Sequence, residues 1–185
     1  FVDSRRPRVV GALTAIWYLL TGRSRFRQLY RKDMQKKLDE LLAKEKFDLI
    51  HCCVPMFAYF RLPKDIPVVS DTHEVEYDLS FRTFKNSKNL FWKLFYYAQY
   101  RFGKPEEIQN LRSFEAIVTT TERDLGIFRK DLPDKMIVSI ANGVPPHFYE
   151  PQNVQREPKA LVFMGLMSFL PNHHGILWFL DHVFP

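Results

Sequence analysis

MIVSIANGVPPHFYEP (residues 136–151), a short polar spacer and ALVFMGLMSFLPN (residues 160–172) together decide the fold of this chain. Each apolar run has the length and composition of a strand buried in a parallel sheet. Asn142-Gly143 ends the first run with strong turn chemistry, because glycine accepts a positive φ, and the two prolines that follow exclude a helix. The pattern predicts that one sheet ends and another begins here, with a hinge and a cleft between two domains.

The rest of the chain alternates predicted strands and helices. Four apolar segments have the character of strands, namely Phe47–Cys53, Pro67–Ser70, Glu115–Thr120 and Met136–Ile140. Helical patterns lie between them, at Phe57–Leu62, at residues 75–114 and in a segment that Thr121 caps and that ends around residues 131–133. Strand-helix-strand alternation with short loops predicts right-handed βαβ units and a parallel sheet.

We therefore predict an α/β fold with two parts. Residues 1–155 form an incomplete Rossmann-like domain, truncated at its start. Residues 156–185 supply the first strand, Leu161–Met164, and the first helix, Asn172–Val183, of a second Rossmann-like domain.

The composition limits the function classes. The 185 residues are 46% hydrophobic, which suffices for a core, and the net charge of +6 favours an anionic partner such as membrane lipid, a phosphate-bearing substrate or nucleic acid. The two cysteines, Cys52 and Cys53, are adjacent, which argues against a disulfide framework and favours a reducing compartment. The apolar run Val9–Leu20 is shorter than the roughly 20 residues of a membrane-spanning helix. Phe1 begins in the middle of a pattern, so we expect the chain to be a fragment lacking both ends.

Cations and aromatic rings alternate through the predicted helical segment 75–114. From Arg82 to Lys104 there are six Lys or Arg residues and no acidic residue, with eight aromatic side chains from Phe84 to Phe102 among them. This pattern suits the headgroup region of an anionic bilayer. It also suits an amphipathic core helix with extended lysines, or single-stranded nucleic acid stacked on the rings. The sequence leaves these three possibilities open.

His73 is the first candidate for chemistry. It follows a predicted parallel strand, and the carboxyl ends of such strands line the ligand crevice of α/β sheets. A neutral imidazole there can accept a proton or donate to a phosphate or hydroxyl, although it can also simply hold a loop. Its acidic neighbours Asp71, Glu74 and Glu76 do not suggest a metal site, because alternate side chains of an extended segment diverge. His173 and His174 diverge in the same way.

Two further positions carry weaker hypotheses. Cys52 and Cys53 lie in an apolar strand, where free cysteine usually serves packing rather than nucleophilic attack. Gly165 ends a strand before a loop and a helix, a place where backbone amides can approach phosphate. One glycine is not a nucleotide-binding fingerprint, however, and Asn142-Gly143 is explained by turn chemistry alone.

SIANGVPPHFYEP (residues 139–151) resembles the strand-turn motif that closes the N-terminal domain of GT-B glycosyltransferases of family 4. ALVFMGLMSFLPNHHGILWFLDHVFP (residues 160–185) resembles the opening of their C-terminal nucleotide-sugar domain, in a version close to bacterial exopolysaccharide enzymes. The resemblance implies that His73 lies near the transferred sugar as a catalytic residue and that the loop at Gly165 faces the donor diphosphate. Leu166 and Pro171 stand roughly where the family often has Arg and Lys.

The resemblance further implies a retaining transferase that moves a sugar from a nucleotide-sugar donor to a lipid-linked or saccharide acceptor in envelope or exopolysaccharide biosynthesis. It implies no metal and no other cofactor. The basic aromatic helices then predict peripheral attachment to the cytoplasmic face of the cell membrane. The family's N-terminal glycine-rich loop and downstream glutamate pair are not in this sequence, so we expect the fragment alone to be inactive. The alternatives are a non-catalytic peripheral membrane module and a nucleic-acid-binding α/β domain.

Overall fold

The computed structural model describes residues 17, 20–149, 157–168 and 170–184. The chain divides into two compact units, Phe1–Gly143 and Val144–Pro185. The predicted domain boundary at residue 155 falls outside the described residues, as does most of the apolar run Val9–Leu20. The observed division follows directly after Asn142-Gly143, the position where the sequence predicted a turn.

The first unit is built on a parallel sheet of four strands, which confirms the predicted α/β fold. The strands lie side by side in chain order, and they are β1 (Ile50–Cys52), β2 (Val68–Thr72), β3 (Ala116–Thr119) and β4 (Met136–Ser139). All three neighbouring pairs are parallel. β-Branched Val, Ile and Thr fill most of these positions because their stiff side chains pack well on a pleated surface.

Among the described residues of the first unit, four α-helices with defined bounds accompany the sheet, and they are α1 (Lys32–Lys44), α2 (Glu76–Asn86), α3 (Leu90–Arg112) and α4 (Glu122–Asp131). Thr121 accepts a hydrogen bond from the Asp124 amide at 3.1 Å, which confirms the predicted cap of α4. The helical segment predicted over residues 75–114 is in fact two helices. Asn89 starts the second one by accepting a hydrogen bond from the Trp92 amide, so the chain breaks and turns before it.

Two 3₁₀ helices also lie within residues 20–143 of this unit, at Arg25–Leu29 and Pro55–Tyr59. The second replaces the helix predicted at Phe57–Leu62. It begins earlier because Pro55 has the φ that a first helical residue needs, and it ends before Pro63.

The core lies on one face of the sheet. Val68, Ile117 and Ile137 point into it from three neighbouring strands, and buried side chains of the helices and connections pack over them, including Val75, Leu111, Phe114, Leu125, Phe128 and Leu132. On the opposite face, Met136 and Val138 of β4 are exposed among the described residues. The alternation of buried and exposed side chains along each strand is the period of two that a pleated strand imposes.

The second unit contains a 3₁₀ helix at Pro146–Tyr149 and the helix α5 (Leu170–His182). The helix predicted at Asn172–Val183 is therefore present with slightly different bounds. The strand predicted at Leu161–Met164 does not form, and these residues are exposed. A strand requires a neighbour to accept and donate its backbone hydrogen bonds, and no strand is present among the described residues of this unit.

Candidate functional site

The carboxyl ends of β2, β3 and β4 lie level with one another at one edge of the sheet. Thr72 is in register with Thr119, and Thr119 is in register with Ser139. The ladder continues one step further, because the Ile140 amide donates to the Thr119 carbonyl at 2.8 Å. Ligands of α/β sheets bind outside this edge, so the residues that follow these strands form the candidate site.

His73 is the first residue beyond β2, as the sequence predicted, and its side chain is exposed at that edge. The residues around it are anchored, since Thr72 and Val75 are each only 1% exposed. Glu74, the other exposed residue of the connection, lies 3.6 Å from a guanidinium nitrogen of Arg82. The fold thus presents an imidazole to solvent on a short segment that is fixed at both ends.

The helix that follows His73 is held by a carboxylate from another helix. The Glu76 and Tyr77 amides, at the start of α2, donate to the two Glu107 carboxylate oxygens at 3.2 Å and 3.0 Å. Burial raises the pKa of Glu107 to about 8, although these two backbone hydrogen bonds act in the opposite direction. Glu107 of α3 therefore serves as the N-terminal cap of α2, whose own preceding residue, Val75, has no side-chain acceptor.

Further contacts tie α2 to its neighbours. The Tyr77 hydroxyl donates to Asp131 of α4 at 2.7 Å, and Lys104 of α3 reaches the same carboxylate at 2.9 Å. Burial raises the pKa of the Tyr77 hydroxyl far above its usual range, and its hydrogen bond to Asp131 adds to that effect. Three helices therefore meet behind the His73 segment through directional polar contacts.

Asp78 forms a second link on the outer side of α2. Its carboxylate accepts from Arg82 of the same helix at 2.8 Å and from Arg123 of α4 at 2.5 Å. Partial burial acts to raise the pKa of Asp78, but the two arginine hydrogen bonds outweigh it and lower that pKa. Each of these arginines has a carboxylate partner, so neither is an unpaired cation available to bind a phosphate.

The acidic residues near His73 do not converge on a metal site. Asp71 is partly buried, and one of its oxygens lies 4.0 Å from the His51 ring on β1, while Glu74 and Glu76 belong to the connection and to α2. No cluster of three or more His, Cys, Asp or Glu side chains suited to a metal ion occurs in the described part of the chain. The His173 and His174 rings, at the start of α5, have centroids 5.9 Å apart and are exposed.

The cysteines differ sharply in environment. Cys52 is 4% exposed, and burial raises the pKa of its thiol to about 11, which disfavours the thiolate that a nucleophile needs. Cys53 is exposed at the end of β1. Cys52 belongs to the apolar core, as the strand pattern predicted.

Gly165, the other predicted site residue, belongs to the second unit and lies in a bend before α5. A Cβ atom on Gly165 would lie 2.8 Å from the Asn172 side-chain nitrogen, so the loop is closed tightly around it. The same Asn172 amide group donates to the Leu166 carbonyl at 3.3 Å. The glycine is needed for this close approach within the loop, and its predicted role toward a diphosphate stays a prediction.

Sequence reasoning missed Glu107. The usable signal was the pair Glu106-Glu107, which directly follows the long acid-free stretch and Pro105. A carboxylate in the middle of a helix is ordinarily a solvated residue, so its partners could not be inferred without the packing of α3 against α2.

Comparison with known proteins adds a family to this geometry. The family model described as Glycosyltransferase Family 4 matches residues 4–148, which is well over half of the chain. No curated protein and no solved structure matches the chain. The matched region includes the whole parallel sheet and the candidate site at its carboxyl edge.

Proposed function

Since the chain belongs to glycosyltransferase family 4, we propose that it transfers a sugar from a nucleotide-sugar donor to a lipid-linked or saccharide acceptor. The pathway would be the biosynthesis of a cell envelope or an exopolysaccharide, and the transfer would proceed with retention at the anomeric carbon. The observation that carries the proposal is the family match over the unit that holds the parallel sheet and His73.

His73 is the residue to which we assign the catalytic role. Its exposed imidazole stands on an anchored segment at the edge of the sheet where ligands of α/β folds bind. In a transfer from a nucleotide sugar, negative charge develops on the departing diphosphate, and hydrogen-bond donors placed beside that charge lower the barrier. An imidazole close to the sugar can donate such a bond or orient a sugar hydroxyl.

The proposal requires no metal and no organic cofactor, and the nucleotide sugar is a substrate. The loop at Gly165 would contact its diphosphate through backbone amides. Leu166 and Pro171 contribute no charge, so cations from elsewhere would have to neutralise the phosphates. A cytoplasmic site on the inner face of the cell membrane would bring such an enzyme to both its donor and a lipid-linked acceptor.

The test is a transfer assay on the protein expressed from its complete reading frame. A panel of radiolabelled nucleotide sugars is incubated with lipid-linked and soluble saccharide acceptors, and the product of any active pair is examined by NMR for its anomeric configuration. We expect transfer with retention. Transfer with inversion would overturn the stereochemical part of the proposal, and the absence of transfer from every donor would overturn the whole.

The role of His73 is tested in the same assay. Removing one positioned hydrogen-bond donor beside developing negative charge typically costs a factor of about 10² to 10³, so His73→Ala should lower kcat at least about 100-fold. His51→Ala is the matched control, because His51 is also an exposed histidine of this sheet but lies within β1. Wild-type turnover by His73→Ala, with an unchanged circular dichroism melting curve, would remove His73 from the mechanism.

A further inference from the structure

The connection between α2 and α3 presents large apolar side chains to solvent. We define the hairpin tip as residues 85–97, which include the end of α2, the turn before Leu90 and the first two turns of α3. Leu90, Phe91 and Leu94 are 69%, 61% and 60% exposed, and Trp92 and Tyr97 are about half exposed. Such a concentration of exposed apolar surface on one structural element marks an interaction site in a soluble fold.

Three of these side chains share one face of α3, whereas Phe91 and Trp92 project from other sides of the helix. Leu90, Leu94, Tyr97 and Arg101 follow one another at spacings of four, three and four residues, which keeps them on one side of a helix. The opposite side is buried in the first unit through Gln99, Gly103, Glu107 and Leu111, at a regular spacing of four. The exposed stripe is therefore the face that α3 turns away from the core.

Aromatic contacts hold the tip in this orientation. The Phe81 and Tyr100 rings have centroids 4.8 Å apart, and those of Phe84 and Tyr97 are 5.3 Å apart, so α2 and α3 are joined by ring packing up to the tip. The Trp92 ring meets Phe95 edge-on at 5.6 Å. Since the rings are arranged before any partner arrives, binding would not incur the full cost of ordering them.

The charge around the tip has a single sign. The tip carries three lysines, Lys85, Lys88 and Lys93, and no acidic residue, whereas the outer cations Arg82 and Lys104 are paired with carboxylates of the fold. Lys85 lies over the Phe81 ring at 4.6 Å and Lys93 over the Phe84 ring at 5.7 Å, which places cations beside the apolar surface. A partner that complements this surface must therefore carry negative charge beside an apolar region into which leucine and phenylalanine side chains can be buried.

We propose that the hairpin tip docks on an anionic lipid bilayer. Leu90, Phe91 and Leu94 enter the boundary between headgroups and acyl chains, and the surrounding cations contact lipid phosphates. A single nucleic-acid strand fits less well, because aliphatic leucines offer bases no ring to stack on. The docking is peripheral, and no helix in the described parts of the chain is long and apolar enough to cross a membrane. The inference deepens the proposed function, because a lipid-linked acceptor would lie in the same membrane.

Tryptophan fluorescence gives a direct test. The chain has three tryptophans, so Trp17→Phe with Trp178→Phe leaves Trp92 as the reporter in the full chain. Vesicles of phosphatidylcholine with 30% phosphatidylglycerol should shift the Trp92 emission to shorter wavelength, and brominated lipids in those vesicles should quench it. Pure phosphatidylcholine vesicles should produce a much smaller change, because they lack the anionic headgroups.

Substitutions separate the apolar contribution from the charge contribution. Lys88→Ser with Arg101→Ser should weaken binding to anionic vesicles about 25-fold, at about fivefold for each cation. Phe91→Ser with Leu94→Ser should abolish quenching by brominated lipid. The matched control is Lys36→Ser with Lys37→Ser on the exposed face of α1, which removes the same charge and should leave binding nearly unchanged.

Several results would overturn the proposal. The first is a Trp92 emission that is already at short wavelength and shielded from acrylamide without vesicles, which would mean that protein covers the tip. The second is an equal loss of vesicle binding in the α1 control and in the tip variants. The third is binding to an oligonucleotide in place of vesicles, if that binding depends on the tip. Vesicle binding is measured without a sugar donor, so it can succeed when transfer fails. Conversely, transfer to a soluble saccharide can succeed when vesicle binding fails.

Discussion

Glu107 offers the sharpest test of how the helix behind His73 is held. In the folded chain this side chain is 7% exposed, and burial raises its pKa from the ordinary 4.5 to about 8. Between these two values the folded protein keeps a proton that the unfolded chain has released. The contribution of Glu107 to the free energy of unfolding should therefore be fully present below the pKa of the unfolded chain. It should be lost as the pH rises through the pKa of the folded chain.

The magnitude follows from the two pKa values. Between pH 6 and pH 8 this one group should reduce the free energy of unfolding by about 2 kcal/mol, since each unit of pKa difference is equivalent to about 1.4 kcal/mol. Glu107→Gln cannot ionise and should lose this part of the pH dependence. It should also cost about 1 kcal/mol, because the NH2 group of Gln cannot accept a hydrogen bond, whereas each oxygen of the Glu107 carboxyl group accepts one from the Glu76 or Tyr77 amide.

The assay is urea unfolding at pH 6, 7 and 8, followed by circular dichroism. The difference in unfolding free energy between wild type and Glu107→Gln should change by about 2 kcal/mol over this range. Glu115→Gln is the control, because Glu115 is exposed and its replacement should leave the pH dependence intact. If wild type and Glu107→Gln have the same pH dependence, Glu107 is ionised throughout, and its hydrogen bonds to α2 outweigh the cost of burial.

Three further predictions concern the core, the cysteines and the acid range. Phe128→Ala should lower the unfolding free energy by about 3–5 kcal/mol, measured by urea unfolding, because the ring is completely buried and leaves a cavity. At neutral pH a thiol reagent should modify Cys53 rapidly and Cys52 only after unfolding, since burial keeps the latter protonated; equal rates for both would contradict its burial. The two arginine partners lower the pKa of Asp78 in the folded state, so wild type should lose stability as the pH falls below 3.8. Asp78→Asn should be less stable at neutral pH and should lose less stability on acidification. Melting temperatures that fall in parallel for both proteins in acid would refute this.

Short-range chemistry made much of the fold predictable from the sequence. Apolar, largely β-branched runs located the four strands of the parallel sheet, because these residues favour pleated backbone, and neighbouring prolines marked an end of three of them. The capping pattern at Thr121 located the start of α4 for the same local reason. The position of His73 beyond the strand could be predicted in the same way, because it depends only on where that strand ends.

Other features depended on contacts between distant parts of the chain. The cap of α2 comes from Glu107, 30 residues beyond the Tyr77 amide that it accepts, and nothing near α2 in the sequence announces it. Leu161–Met164 has the composition of a strand but forms none, because hydrogen-bonded neighbours decide strand formation and composition alone cannot supply them.

The amino-acid pattern by itself located the four strands and most helical segments of the first unit, and it marked the cationic, aromatic character of the hairpin tip. Only the tertiary structure decided which face of α3 turns outward, because the core must bury Gln99, Gly103, Glu107 and Leu111 and so leaves Leu90 and Leu94 exposed. Local propensity acts between neighbours in the chain, whereas burial depends on how distant segments pack together. The candidate site and the contacts that hold it depend on that packing.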